Sequence, residues 1–88
     1  AFKNSMHITN TEDKAKRKNL LTIETSDAPG LLAKIAKVLH DNGTSIYSAR
    51  INTLGDRVED TFEIEDVTLS SVSDKKIKKI TSDLKQVI

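Results

Sequence analysis

Six consecutive residues, Asp27-Ala28-Pro29-Gly30-Leu31-Leu32, have the types and spacing to hold a small polar molecule at the start of a helix. Pro29 has no N–H to leave unsatisfied and presets φ for a first helical turn, while Gly30 lacks a Cβ and lets another molecule approach the backbone. Asp27 is placed to cap the helix. The free N–H groups behind it and the positive end of the helix dipole favour a carboxylate or another anion. For an amino acid, the N–H groups of Gly30 to Leu32 would receive the carboxylate and Asp27 the ammonium. Taken alone, the same residues also describe nothing more than a well-made helix start.

Other chemistry-bearing residues have simpler uses. Arg50, Arg57, Glu59, Asp60 and Glu63 could form a catalytic-looking cluster on paired strands, but cross-strand salt bridges on a wet sheet face are the more economical expectation. His7 and His40 fall in different elements without metal-ligand spacing and are expected at the surface. Lys75, Lys76, Lys78 and Lys79 fall opposite Ile77 and Ile80, as the solvated face of a helix would, and Lys14, Lys16, Arg17 and Lys18 fall in a polar connection. The sequence has no cysteine, which removes thiol catalysis, disulfides and Cys-based zinc sites. With no nucleophile-base pair, metal cluster or phosphate loop in the sequence, neither catalysis by this chain nor a cofactor or metal is expected.

The elements that must position these residues follow from periodicity. Met6 to Thr9 is a short strand with Met6 and Ile8 on one face, followed by Asn10 to Asn19 as an exposed polar connection. Leu20 to Thr25 alternates, with Leu21 and Ile23 on one side and Thr22 and Glu24 on the other. From Pro29 the period changes to a helical stripe of Leu31, Leu32, Ile35, Val38 and Leu39, stopped by Gly43. Thr44 to Leu54 is rich in β-branched residues, but its apolar positions slip phase, so a bulge is expected near Ser45 to Ser48. Gly55-Asp56 reads as a hairpin turn. Val58 to Glu65 then alternates, with Val58, Phe62 and Ile64 inward, Glu59, Thr61, Glu63 and Glu65 outward, and Asp60 interrupting the apolar phase. Ser73 is placed to cap a second helix with the stripe Ile77, Ile80, Leu84, Val87 and Ile88.

Two one-sided helices and strands with one polar face fit an α+β, ferredoxin-like sandwich: a four-stranded antiparallel sheet with both helices on one face. The order is permuted, strand-strand-helix-strand-strand-helix, so the front of the chain supplies the edge strand that the ferredoxin-like order places last. Residues 1–88 are expected to form a single domain, with 1–19 as the N-terminal edge strand and polar connection and 20–88 as the main body. With 36% hydrophobic residues in 88, the domain sits near the lower size limit for a self-sufficient core, and a partner burying more apolar surface would help. The formal charge of +1 supplies no global field towards nucleic acid or an anionic membrane. The chain begins with Ala1, as a processed or excised segment would. No apolar run is long enough to span a bilayer and no signal-peptide core is evident, so a cytoplasmic domain is expected.

The block from Leu20 to Asp66, LLTIETSDAPGLLAKIAKVLHDNGTSIYSARINTLGDRVEDTFEIED, resembles an ACT domain, the small regulatory module attached to many enzymes of amino-acid metabolism. Within that family it is most similar to the last ACT domain of bifunctional PII uridylyltransferase/uridylyl-removing enzymes, through the DAPGLL junction and, more specifically, Ala49-Arg50-Ile51 followed by the GDRVEDTF hairpin, Gly55 to Phe62. The resemblance implies the C-terminal regulatory end of a larger enzyme acting on the PII signal protein, with glutamine as the sensed metabolite and with catalytic domains outside this sequence. It also implies pairing with another ACT domain, in tandem or as a homodimer, with the amino acid held at the interface. The junction Asp27, Ala28, Pro29, Gly30, Leu31 and Leu32 of one domain would face Ser45 and Ile46 of its neighbour. Ala28 stands where this enzyme family usually has Arg and Ser45 where a longer Asn is common, and both shorten polar reach. A pairing module without ligand, or an ACT domain of another amino-acid-metabolism enzyme, is the alternative. RNA recognition, which shares the architecture, needs stacking aromatics on the central strands; Thr22, Glu24, Glu59, Thr61, Glu63 and Glu65 form an acidic, non-aromatic surface instead.

Overall fold

Period-2 alternation over the β-branched segments and period-3.6 stripes between them produce six elements in the computed structural model, which describes residues 6–88. In chain order they are β1 (His7–Asp13), β2 (Lys18–Ser26), α1 (Leu31–Asp41), β3 (Thr44–Leu54), β4 (Arg57–Asp66) and α2 (Asp74–Val87). The strands form one antiparallel sheet in the order β1-β2-β4-β3. The α+β class, the permuted order and the N-terminal edge strand are as expected from the sequence. Residues 1–5 of the expected N-terminal segment lie outside the described residues.

The register places Leu21 opposite Phe62 and Ile23 opposite Asp60 on one face of β2 and β4. Both helices cover that face: Leu21, Ile23, Val58, Phe62 and Ile64 share one core with Leu31, Ile35, Val38 and Leu39 of α1 and Ile80 and Leu84 of α2. Seven of the aliphatic side chains, among them Ile35, Leu39 and Leu84, have no exposure at all. Each fully buried side chain contributes about 1.5–3 kcal/mol through removal from water. Met6, Ile8 and Ile77 close the margin beside β1. The opposite face carries the alternating polar set, with Arg57 3.9 Å from Glu24 and Thr22 Oγ1 3.4 Å from Thr61 Oγ1.

The helix ends and the bulge have local causes. Ser73 caps α2 by accepting from the Lys76 N–H at 3.2 Å, and Asn42-Gly43 ends α1 with Gly43 at φ +69°. Pairing of β3 with β4 shifts register between Ile46 and Ser48, which leaves Tyr47 as the extra residue at the expected bulge. The extra residue also brings the Tyr47 ring 4.2 Å below Lys18 Nζ on the helix-free face.

The expected polar connection from Asn10 to Asn19 is corrected. β1 runs on to Asp13 and β2 begins at Lys18, so only residues 14–17 turn, with Arg17 at φ +57°. Polar residues here replace apolar ones because they satisfy each other. Asn19, 1% exposed, donates from Nδ2 to Asn10 Oδ1 at 3.0 Å and accepts the Val72 N–H on Oδ1 at 2.8 Å. Ser71 Oγ donates to Glu12 Oε2 at 2.7 Å, tying the segment before α2 to β1.

Candidate functional site

Between β2 and α1 the backbone turns through Asp27, Ala28, Pro29 and Gly30. The helix begins at Leu31, and Gly30 is its N-cap at φ +76°, the left-handed region where a Cβ is costly. This corrects the expectation that Pro29 opens the helix and Asp27 caps it, since no side chain caps α1. Asp27 is used differently: its N–H donates to the Asp56 carbonyl at 3.0 Å, fastening the junction to the β3–β4 turn. The Leu31 N–H reaches the Ala28 carbonyl at 3.2 Å. Among the described residues, no backbone acceptor takes the Leu32 and Ala33 N–H groups, which are two of the orphan donors at the helix start.

A cleft of about 250 Å³ opens beside this turn, walled by Asp27, Gly30, Leu31, Leu32 and Ala33 on one side and by Ile51, Thr53, Val58 and Asp60 on the other. A larger open cleft of about 590 Å³ shares Asp27 and Ala28 with it and runs towards Met6, Lys85 and Ile88. Five of the six junction residues, all but Pro29, therefore line one cleft with the turn-end of β3.

Asp60 decides between two expectations, a place in the wet-face cluster and a break in the apolar phase of β4. It does not join Arg50, Arg57, Glu59 and Glu63 on the wet face but points to the helix side, 1% exposed, between its cross-strand neighbours Ile23 and Ile51. Its Oδ1 has no hydrogen-bond partner among the described residues. Burial first, and the negative charge of Asp27 second, push its carboxyl above the ordinary range. A buried carboxylate without a partner is costly, so the group either holds a proton or recruits a cation. The interruption of the apolar phase at this position was the signal in the sequence.

Ser45 and Ile46 are not near the junction of their own chain. Ser45 pairs with Glu65, whereas Thr53, at the junction end, pairs with Val58, whose other neighbour is Thr25. Eight residues of strand at about 3.3 Å each separate the two ends by roughly 25 Å. Both Ser45 and Ile46 are exposed, as is every residue of β3 after Thr44.

Two of the helix lysines make structural contacts. Lys79 pairs with Asp83 at 2.8 Å on the surface of α2, as expected of a solvated face. Lys76 is a correction, because its Nζ reaches Asp66 and its side chain is largely covered. His7 and His40 are exposed, and among the described residues no group of three or more His, Cys, Asp or Glu side chains is arranged to hold a metal. No helix among the described residues is long and apolar enough to cross a membrane.

The chain is similar to a short segment of bifunctional uridylyltransferase/uridylyl-removing enzymes. The protein of that name from Psychrobacter sp. (strain PRwf-1) is 38% identical over 76 residues, 86% of this chain and 8% of the relative. The one from Psychrobacter cryohalolentis is 37% identical over 70 residues, 80% of this chain and 8% of the relative. The one from Burkholderia mallei (strain SAVP1) is 47% identical over 51 residues, 58% of this chain and 6% of the relative. A match across 86% of the chain necessarily includes the Asp27 to Leu32 junction. The chain thus spans less than a tenth of the length of these relatives. No protein-family model matches it.

Proposed function

We propose that this chain, similar over most of its length to a segment of bifunctional uridylyltransferase/uridylyl-removing enzymes, is a regulatory ACT domain of such an enzyme, at its C-terminal end. In this reading it senses an amino acid, most simply glutamine, at an interface with a second ACT domain and so controls uridylylation of the PII signal protein in the cytoplasm. The catalytic domains belong to the rest of the enzyme.

The observation that carries this reading is the separation of the two halves of the candidate site. Within one chain Ser45 and Ile46 stand at the far end of β3 from the junction, so they can meet a junction only in a neighbour. Among the described residues β3 is an edge strand with Ile46 40%, Ile51 45% and Leu54 50% exposed, and Leu32 of α1 adds 47% beside it. Two such edges running antiparallel would bring Ser45 of each chain to the junction end of the other, forming two equivalent sites by two-fold symmetry. Pairing would also cover the apolar residues that α1 leaves open on β3.

Titration of the chain with glutamine, followed by backbone amide shifts, tests the proposal. Shifts at residues 27–32 and at Ser45, weakened by Asp27→Ala, are expected, together with self-association in sedimentation. Self-association without any response at the junction would support the second reading, a pairing module without ligand, which the short side chains of Ala28 and Ser45 favour. Salt-sensitive binding of single-stranded RNA would overturn both.

A further inference from the structure

We propose that Asp60 is the counter-charge for the ammonium group of an α-amino acid whose carboxylate rests on the free N–H groups of Leu32 and Ala33. The inference rests on the amino-acid reading above and assigns to it a residue and a chemistry that the junction alone does not supply. Three observations converge on one cleft. Asp60 forms part of its wall, is 1% exposed, and has an Oδ1 with no partner among the described residues. Its cross-strand neighbours, Ile23 and Ile51, are aliphatic and cannot donate to it. On the facing wall, the start of α1 offers two backbone donors and no acidic side chain in its first turn.

A zwitterion answers both demands at once. Its carboxylate suits the positive end of α1, and its ammonium suits the buried carboxyl, which Asp27 alongside makes still more receptive to positive charge. A ligand with only an anionic group would satisfy the helix and leave Asp60 unpaired, and one with only a cationic group would do the reverse. Asp27 lines the same cleft but also borders open solvent, so Asp60 is the stronger anchor.

The test uses the complete chain, calorimetric titration, and two probes: glutamine and its desamino analogue, which keeps the carboxylate and the amide but lacks the ammonium. Asp60→Asn removes the charge at constant shape. Unfolding in urea is expected to show this variant at least as stable as the parent, because the lost charge had no partner. Glutamine affinity is expected to fall by about 10- to 100-fold, the effect of one charged hydrogen bond. The desamino analogue is expected to bind the parent chain with the same deficit and to lose nothing further in Asp60→Asn. Unchanged glutamine binding by Asp60→Asn, or equal losses for both probes, would overturn the role of Asp60 while leaving the amino-acid reading standing. Failure of the parent chain to bind glutamine or any other α-amino acid would overturn both. Binding of a different α-amino acid with the same dependence on Asp60 would uphold the anchor and correct only the choice of glutamine.

Discussion

Asp66 ends β4 and is held by three contacts: the Lys76 ammonium at Oδ1, and the Thr68 hydroxyl and N–H at Oδ2, at 2.6 and 3.0 Å. Chief among them the Lys76 contact lowers its carboxyl to about 2. A carboxyl with a depressed folded pKa contributes stability that is complete above its unfolded value and disappears as pH falls through the folded one. The contribution of Asp66 is therefore expected to be lost between roughly pH 4 and pH 2. Urea midpoints measured across that window should fall more steeply for the parent chain than for Asp66→Asn. Asn19 tests a neutral contact at the same scale. Asn19→Ala strips the buried Val72 N–H of its acceptor and Asn10 of its donor, and is expected to cost about 2–3 kcal/mol in denaturant unfolding. Asn19 fits an exposed connection as far as the sequence goes, because a buried asparagine breaks alternation just as a loop residue does; only its partners distinguish the two.

At the scale of elements, turn chemistry was legible where one residue carries it. Ser73 caps α2 by the bond its type predicts, and Ser73→Ala is expected to cost about 1 kcal/mol of stability. Gly43 stops α1, and a Cβ there would meet Lys76 Nζ at 3.3 Å as well as forcing φ +69°. Gly30 sits at φ +76° with nothing within 4 Å of where its Cβ would be. Gly30→Ala should therefore show only the left-handed backbone cost of about 1–2 kcal/mol, and Gly43→Ala should be worse, as thermal unfolding of the pair would measure. The start of α1 was misread by two residues because Pro-Gly suits both a first helical turn and the turn that precedes one. What separates these is the bond from Asp27 N–H to the Asp56 carbonyl, a contact between segments distant in the sequence.

At the scale of the whole molecule, the sheet order leaves two edges, and β3 is the longer and more apolar. If pairing runs through β3, Ile51→Lys is expected to leave the chain monomeric in sedimentation. Ile51 also stands opposite Asp60 across the strands, so the same change is expected to give that carboxylate a cation and to leave the separate domain at least as stable in urea unfolding. Unaltered self-association by that variant would place the interface elsewhere.

Periodicity by itself determined the order of the elements, the one-sided faces of β2, β4 and both helices, and the ferredoxin-like arrangement, because a helix or strand must bury its apolar stripe and short connections leave few ways to do so. The β3–β4 hairpin was equally readable from Gly55-Asp56, whereas at the junction proline and glycine marked a turn without fixing where the helix begins. Tertiary structure alone decided that Asp60 faces inward beside that junction and that Ser45 lies at the opposite end of the sheet. Both depend on strand register, which sets neighbours between residues far apart in the chain and leaves no local trace beyond a broken alternation.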